Sequence, residues 1–282
     1  MTVVLVVAVP VDHAEVAADV LWGLGVRAVE ERPTDGGAEH AGDVVELWTH
    51  VGDSEAALAT ASAALGGRWP TRVEHVDDEP AGTWREHVGP MWVDAGFVVV
   101  PAWQEAPDVP AGTITLPIEP GGAFGMGDHP TTRLCLRALR RLTAEASAVD
   151  VIDVGCGTGV IAVAAAVLTG RPVRAIDISP AAVEATTANA RCNGVDPLVI
   201  VDDTPLAAVT ETFDLVVANI LAPTLVELAD ALRAVTRREG RLVISGILDG
   251  RHDHVLAALA PLVVERTDVD DGWAAVTLAW PR

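Results

Sequence analysis

The stretch that most restricts the fold of this chain is Val151-Ile152-Asp153-Val154-Gly155-Cys156-Gly157-Thr158-Gly159-Val160. A short apolar run enters a turn with glycine at every second position, and an alanine-rich segment follows. Valine and isoleucine favour a strand, glycine permits tight backbone turning, and alanine favours a helix. The reading is strand, turn, helix, with the unpaired N–H groups of the helix start beside the turn. The spacing is G-x-G-x-G, not the G-x-G-x-x-G of dinucleotide folds. A phosphate-binding loop would need a lysine, and the chain contains none. The next strand, Val173-Arg174-Ala175-Ile176-Asp177, ends in a carboxylate about 20 residues beyond the loop, a position suited to accept hydrogen bonds from ribose hydroxyls. A generic βα turn with a solvated aspartate is the plain alternative, and an NAD enzyme is another.

The surrounding pattern agrees with an α/β sheet. From 149 onward, strands are expected at 149–154, 172–178, 197–201, 213–219 and 240–246, and helices at 160–168, 180–192, 223–236 and 251–259. Strands alternating with helices imply a parallel sheet covered on both faces. Two closing strands, 262–269 and 273–279, form an apparent hairpin, which makes the last strand antiparallel. The N-terminal part differs. Strands at 2–9, 26–31, 44–51 and 71–76 and helices at 11–24 and 54–65 give the order β-α-β-β-α-β, an α+β ferredoxin-like pattern. A Gly36-Gly37 turn separates the two middle strands. The domains expected are therefore 1–76, a linker at 77–104 and an α/β domain at 105–282, with a short capped helix near Thr83 and strands at 97–101 and 113–118.

Composition narrows the function. The 282 residues carry 19 basic and 40 acidic side chains, for a formal net charge of −21, and every basic residue is arginine. Half the residues are hydrophobic, which excludes an acidic disordered chain. Such a charge repels polyanions, so no direct nucleic-acid binding is expected. Three cysteines without metal spacing fit a reducing cytoplasm. The first ten residues lack a basic leader and read as a buried strand, and no apolar run approaches the ~20 residues of a membrane span. No metal site is expected: His252 and His254 flank Asp253, and an i, i+2 pair does not share one helix face. Seven of the eight tryptophans lie at 22, 48, 69, 84, 92, 103 and 273, and the eighth at 280; packing, or contact with a protein substrate, would explain them.

Two further segments carry chemistry. Phe213-Asp214-Leu215-Val216-Val217-Ala218-Asn219-Ile220-Leu221-Ala222-Pro223 is an apolar strand ending at a polar Asn. In an open α/β sheet, strand carboxyl ends form the ligand crevice, and an Asn carbonyl there can accept a hydrogen bond from an amine. A helix N-cap is the alternative role for Asn219. Gly121-Gly122-Ala123-Phe124-Gly125-Met126-Gly127-Asp128-His129-Pro130-Thr131-Thr132 reads as a flexible loop entering a helix capped by hydroxyls.

The glycine loop and its acid resemble those of the class I methyltransferases. With the Asn219-Ile220-Leu221 strand end and the 121–132 loop, the chain closely resembles the methyltransferases of large-subunit ribosomal protein number eleven. Trp84-Arg85, Pro101-Ala102-Trp103 and Ser245-Gly246-Ile247-Leu248 are similar as well. The resemblance departs at Met126, where that family usually has threonine.

The resemblance implies a Rossmann-like catalytic domain, S-adenosylmethionine as methyl donor, and an N-terminal domain that holds the protein substrate. By position it implies that Thr132, Gly155 and Gly157 contact the cofactor, that Asp177 holds the ribose, and that Phe124 helps enclose the methyl donor. Asn219 would lie between cofactor and amine as the catalytic group. The reaction implied is methyl transfer from a sulfonium to Lys side-chain and N-terminal amines by a cytoplasmic monomer. The leaving sulfide is neutral, so positioning and desolvation carry most of the catalysis. His129 is a candidate base by location. Other readings are a related protein-lysine or small-amine methyltransferase, and a cofactor-binding module without turnover.

Overall fold

The computed structural model describes residues 2–22, 24, 26, 29–33, 44–52, 54–76, 88–119, 129–144 and 149–281. The chain divides into two compact units, Met1–His87 and Val88–Arg282.

In the first unit the order is β1 (Thr2–Pro10), a 3-10 turn at Val11–His13, α1 (Ala14–Trp22), β2 (Glu30–Pro33), β3 (Val44–Thr49), α2 (Glu55–Ala64) and β4 (Thr71–Val76). The sheet runs β2-β3-β1-β4 with every pair antiparallel. Alternation decides the faces. Leu5, Val7 and Val9 of β1 join Leu47, Ala14, Ala17, Leu21, Leu65 and Trp69 in one core. On the other face Arg72 pairs with Glu46 at 2.7 Å and Glu74 at 2.9 Å, and Arg32 lies 4.2 Å over the Trp48 ring. Ser54 caps α2 by accepting the Ala57 N–H at 3.1 Å. The second strand lies later than 26–31, because pairing with β3 starts only at Glu30 opposite Trp48. The Gly36-Gly37 turn and the Thr83 helix fall outside the described residues.

The second unit opens with a small sheet, β5 (Met91–Asp94), β6 (Phe97–Pro101) and β7 (Ile114–Ile118). The segment 91–101, expected in the linker, is thus paired structure of this unit. β6 is apolar and every one of its residues is buried. Next come α3 (Pro130–Ala144), β8 (Val151–Val154), α4 (Val160–Thr169), β9 (Val173–Ile176), α5 (Pro180–Cys192), β10 (Val199–Asp202) and β11 (Phe213–Asn219). They are followed by α6 (Ala222–Glu227), α7 (Ala229–Val235), β12 (Thr236–Leu248), α8 (Asp253–Ala258), β13 (Val263–Asp270) and β14 (Trp273–Ala279). The single helix expected at 223–236 is two, separated at Leu228. The apolar spacing Leu225, Ala229, Leu232 continues through the break, so periodicity did not reveal it.

The large sheet has the order β10-β9-β8-β11-β12-β14-β13. β8 pairs in parallel with β9 and β11, whereas β14 is antiparallel to β12 and β13. Val151 packs with one core and Ile152 and Val154 with the other, so β8 is covered on both faces. The strand order reverses at β8. A crevice opens at such a switch point, outside the strand carboxyl ends. There the chain delivers the glycine loop after β8, Asp177 after β9 and Asn219 after β11.

Candidate active site

The glycine loop is built on three left-handed backbone positions: Gly155 at φ +71°, Gly157 at +55° and Gly159 at +78°. L side chains disfavour this region. Space is equally strict. A Cβ at Gly159 would lie 2.6–2.8 Å from Thr186, and one at Gly155 would lie 2.5 Å from Ile220 Cγ2. The loop is tied to the neighbouring strand, with the Gly155 and Cys156 N–H groups both donating to Ile176 O at 2.9 and 3.1 Å. The Thr186 hydroxyl donates to Gly157 O at 3.1 Å. Asn189 of α5 donates to Thr158 O at 2.9 Å and to Glu119 O at 2.8 Å, joining the loop to the segment after β7. Burial pushes the Cys156 thiol far up, so it stays neutral in the loop.

Asp177 is half-buried directly beyond β9. One carboxylate oxygen accepts the Gly157 N–H at 3.0 Å, and the other accepts the Ser179 N–H at 2.9 Å. A carboxylate offers about four acceptor positions, so these two bonds leave capacity for a diol. Ile178, the next residue, is 86% exposed. Sequence reasoning passed over Ile178; its signal was a large apolar residue just past a strand end, before the Ser179-Pro180 helix start.

Asp153 of β8 is fully buried under the loop. Its Oδ2 accepts the Ala162 N–H at 3.1 Å, while Oδ1 has no hydrogen-bond partner among the described residues. Burial, with a smaller push from nearby Asp177 and against the pull of the Ala162 N–H, raises the carboxyl to about 7.

Asn219 ends β11 and is half-buried. Its Nδ2 lies 3.5 Å from the hydroxyl of Thr132 in the first turn of α3, the outer limit for donation. That leaves the side-chain carbonyl, on the other arm of the amide, as the acceptor. Asn219 does not cap α6, whose N-cap is Leu221 without a side-chain bond. Thr132 is fully buried. The start of α3 is held by two further contacts. His129 packs edge-on against Trp273 with ring centroids 4.8 Å apart, and Arg133 pairs with Asp270 at 2.7 Å. His129 Nδ1 lies 2.8 Å from the Thr131 hydroxyl and 3.4 Å from the Thr131 N–H, so this side chain serves the helix start. His252 occupies the N-cap position of α8 without a side-chain cap bond, and its Nδ1 lies 3.0 Å from Leu248 O.

Of the residues singled out in the sequence, Gly155, Gly157, Asp177, Asn219 and Thr132 lie at the carboxyl ends of the central strands β9, β8 and β11 and the start of α3. Phe124 and Met126 lie outside the described residues, as do Trp84 and Arg85. Among the described residues, no helix is long and apolar enough to cross a membrane.

Comparison with known proteins identifies the family. The family model described as Ribosomal protein L11 methyltransferase (PrmA) matches residues 30–280. A ribosomal protein L11 methyltransferase of Dechloromonas aromatica is 38% identical over 290 residues, 94% of this chain and 95% of that protein. One from Ectopseudomonas mendocina is 33% identical and covers 96% of each. The crystal structure of the ribosomal protein L11 methylase of Lactobacillus delbrueckii subsp. bulgaricus superposes with a TM-score of 0.64 at 30% identity, over 69% of this chain and 100% of that one. With the glycine loop, the acid after β9 and the Asn-Ile-Leu strand end at one crevice, the chain belongs to the ribosomal protein L11 methyltransferase family.

Proposed function

We propose that this chain methylates Lys side-chain and N-terminal amines of large-subunit ribosomal protein L11 in the cytoplasm, with S-adenosylmethionine as donor. The observation that carries this reading is Asn219 at the strand end beside the glycine loop, its amide turned toward Thr132. The residues present fit the cofactor. Asp177 has acceptor capacity for ribose hydroxyls, Ile178 offers an apolar surface for a purine, and the loop backbone at Gly155 and Gly157 carries no side chain to block approach. S-adenosylmethionine, when bound, supplies an electrophilic methyl group on a sulfonium.

The Asn219 carbonyl accepts an N–H of the incoming amine and turns the nitrogen lone pair toward the donor. A Lys ammonium, with an ordinary pKa of ~10.4, must first lose a proton, whereas an N-terminal amine near ~7.7–8.0 is far closer to its reactive form. His129 Nδ1 is engaged at the helix start. The 1–76 domain, with its ferredoxin-like element order, is read as the part that holds the ribosomal protein.

The test is incubation of the purified enzyme with methyl-labelled S-adenosylmethionine and ribosomal protein L11. Label should enter L11. Asn219→Ala should lower kcat about 100-fold while S-adenosylhomocysteine affinity stays within about threefold. Absence of label in L11 despite measured cofactor binding would sink the proposal.

A further inference from the structure

β12 does not run straight past the site. Its pairing with β14 steps from Ile244 opposite Val276 to Ile247 opposite Ala274, so three residues on one strand span two on the other. The extra residue lies in Ser245-Gly246, a β-bulge, a device that bends a strand and re-aims what it carries. In the β11–β12 ladder, Ser245 stands opposite Asn219. The Ser245 carbonyl accepts the Ile220 N–H at 3.2 Å. The buried Ser245 hydroxyl donates to Ala274 O at 2.8 Å, tying the bulge to β14.

Gly246 has φ +86°, and a Cβ there would lie 2.4 Å from Ile220 O and 2.8 Å from Ile220 C. On the glycine-loop side, a Cβ at Gly155 would meet Ile220 Cγ2 at 2.5 Å. Ile220 is thus wedged between two backbone positions that both need glycine. Its N–H belongs to the peptide that begins at Asn219.

We infer that the Ser245-Gly246 bulge is the positioning device of Asn219: by holding the Asn219–Ile220 peptide, it sets the direction of the catalytic amide. This rests on Asn219 being the group that orients the amine. Magnitude supports it. Relieving a 2.4 Å contact to an ordinary one needs a backbone shift of about 1 Å, and a misplacement of that size costs about 100-fold in rate. A bulge that served only the packing of β14 would change stability without regard to Asn219.

The experiment is a cycle of Gly246→Ala and Asn219→Ala, read by kcat on the ribosomal protein, S-adenosylhomocysteine affinity and melting temperature. Gly246→Ala should lower kcat about 100-fold, leave S-adenosylhomocysteine affinity within about threefold, and cost less than about threefold further in the Asn219→Ala background. Ser245→Ala keeps the main-chain carbonyl and is the second variant, should Gly246→Ala fail to fold. It should lower kcat about tenfold, again with little further loss when Asn219 is already gone. Equal fractional losses with and without Asn219, or no loss of kcat in the folded variant, overturn the inference. A matching loss of cofactor affinity overturns it too. If Asn219→Ala alone keeps full kcat, the reading of Asn219 fails first, and that outcome is distinct.

Discussion

Asp153 is the residue whose environment departs furthest from its sequence context. Nothing in Val-Ile-Asp-Val tells that one carboxylate oxygen will be sealed in without a partner among the described residues. The consequence is a pH dependence of stability. The folded-state carboxyl titrates near 7 and the unfolded one near the ordinary aspartate value of 3.8. The folded chain therefore holds the proton more tightly between those values. The stabilisation is complete below about pH 4 and is lost as pH rises through about 7. Asp153→Asn cannot ionise, so its stability relative to the parent should improve by roughly 2 to 3 kcal/mol from pH 5 to pH 8. Unfolding curves at the two pH values check this, and parallel behaviour of the two proteins would refute it. Other residues were legible because strand ends advertise them: Asp177 and Asn219 each close an apolar run with a polar side chain. Thr132 beside Asn219 was not, since 87 residues separate them and only the fold brings α3 to β11.

Among the elements, the strand–loop–helix at 151–169 shows how local pattern and tertiary contact divide the work. Periodicity and the alanine-rich run placed α4 within a residue of its observed end, and α5 and β11 matched throughout. What periodicity could not supply is why the third glycine is required. Gly159 is left-handed and abuts Thr186, on a helix that begins some twenty residues later. Gly159→Ala should cost about 1–3 kcal/mol of stability through backbone strain and the enforced shift of α5. It should also weaken S-adenosylhomocysteine binding, because the loop above α4 moves with it. Denaturant unfolding with a binding titration reads both effects, and a neutral substitution would show that the loop relaxes freely. The broken helix at Leu228 escaped sequence reading because the apolar spacing continues through it. The bulge at Ser245-Gly246 does interrupt the alternation, since Ile244 and Ile247 share one core three residues apart, but its geometry is set by pairing with β14.

For the whole molecule, charge is the dominant property. Residues 1–79 hold 15 acids and 4 arginines, so −11 of the −21 lies in about a quarter of the chain. On the proposed reading, such a field would steer a lysine-bearing substrate, mainly through its rate of association. The KM for the ribosomal protein should rise several-fold between roughly 50 and 300 mM salt, with kcat unchanged, as screening shortens the reach of the field. A KM indifferent to salt would remove the steering idea. Elsewhere the arginines act locally. Arg133 and Arg137 converge on Asp270, and Arg171 and Arg237 on Asp150, joining segments far apart in the chain.

Local chemistry along the chain was enough for the α/β class, the glycine loop and the strand-end places of Asp177 and Asn219, because periodicity, turn chemistry and strand ends are written within about ten neighbouring residues. The order of strands across the sheet, the meeting of Thr132 with Asn219, the buried state of Asp153 and the wedge around Ile220 arise from residues tens of positions apart. Their geometry is set by packing and hydrogen-bond satisfaction in the folded chain, which short-range pattern does not encode.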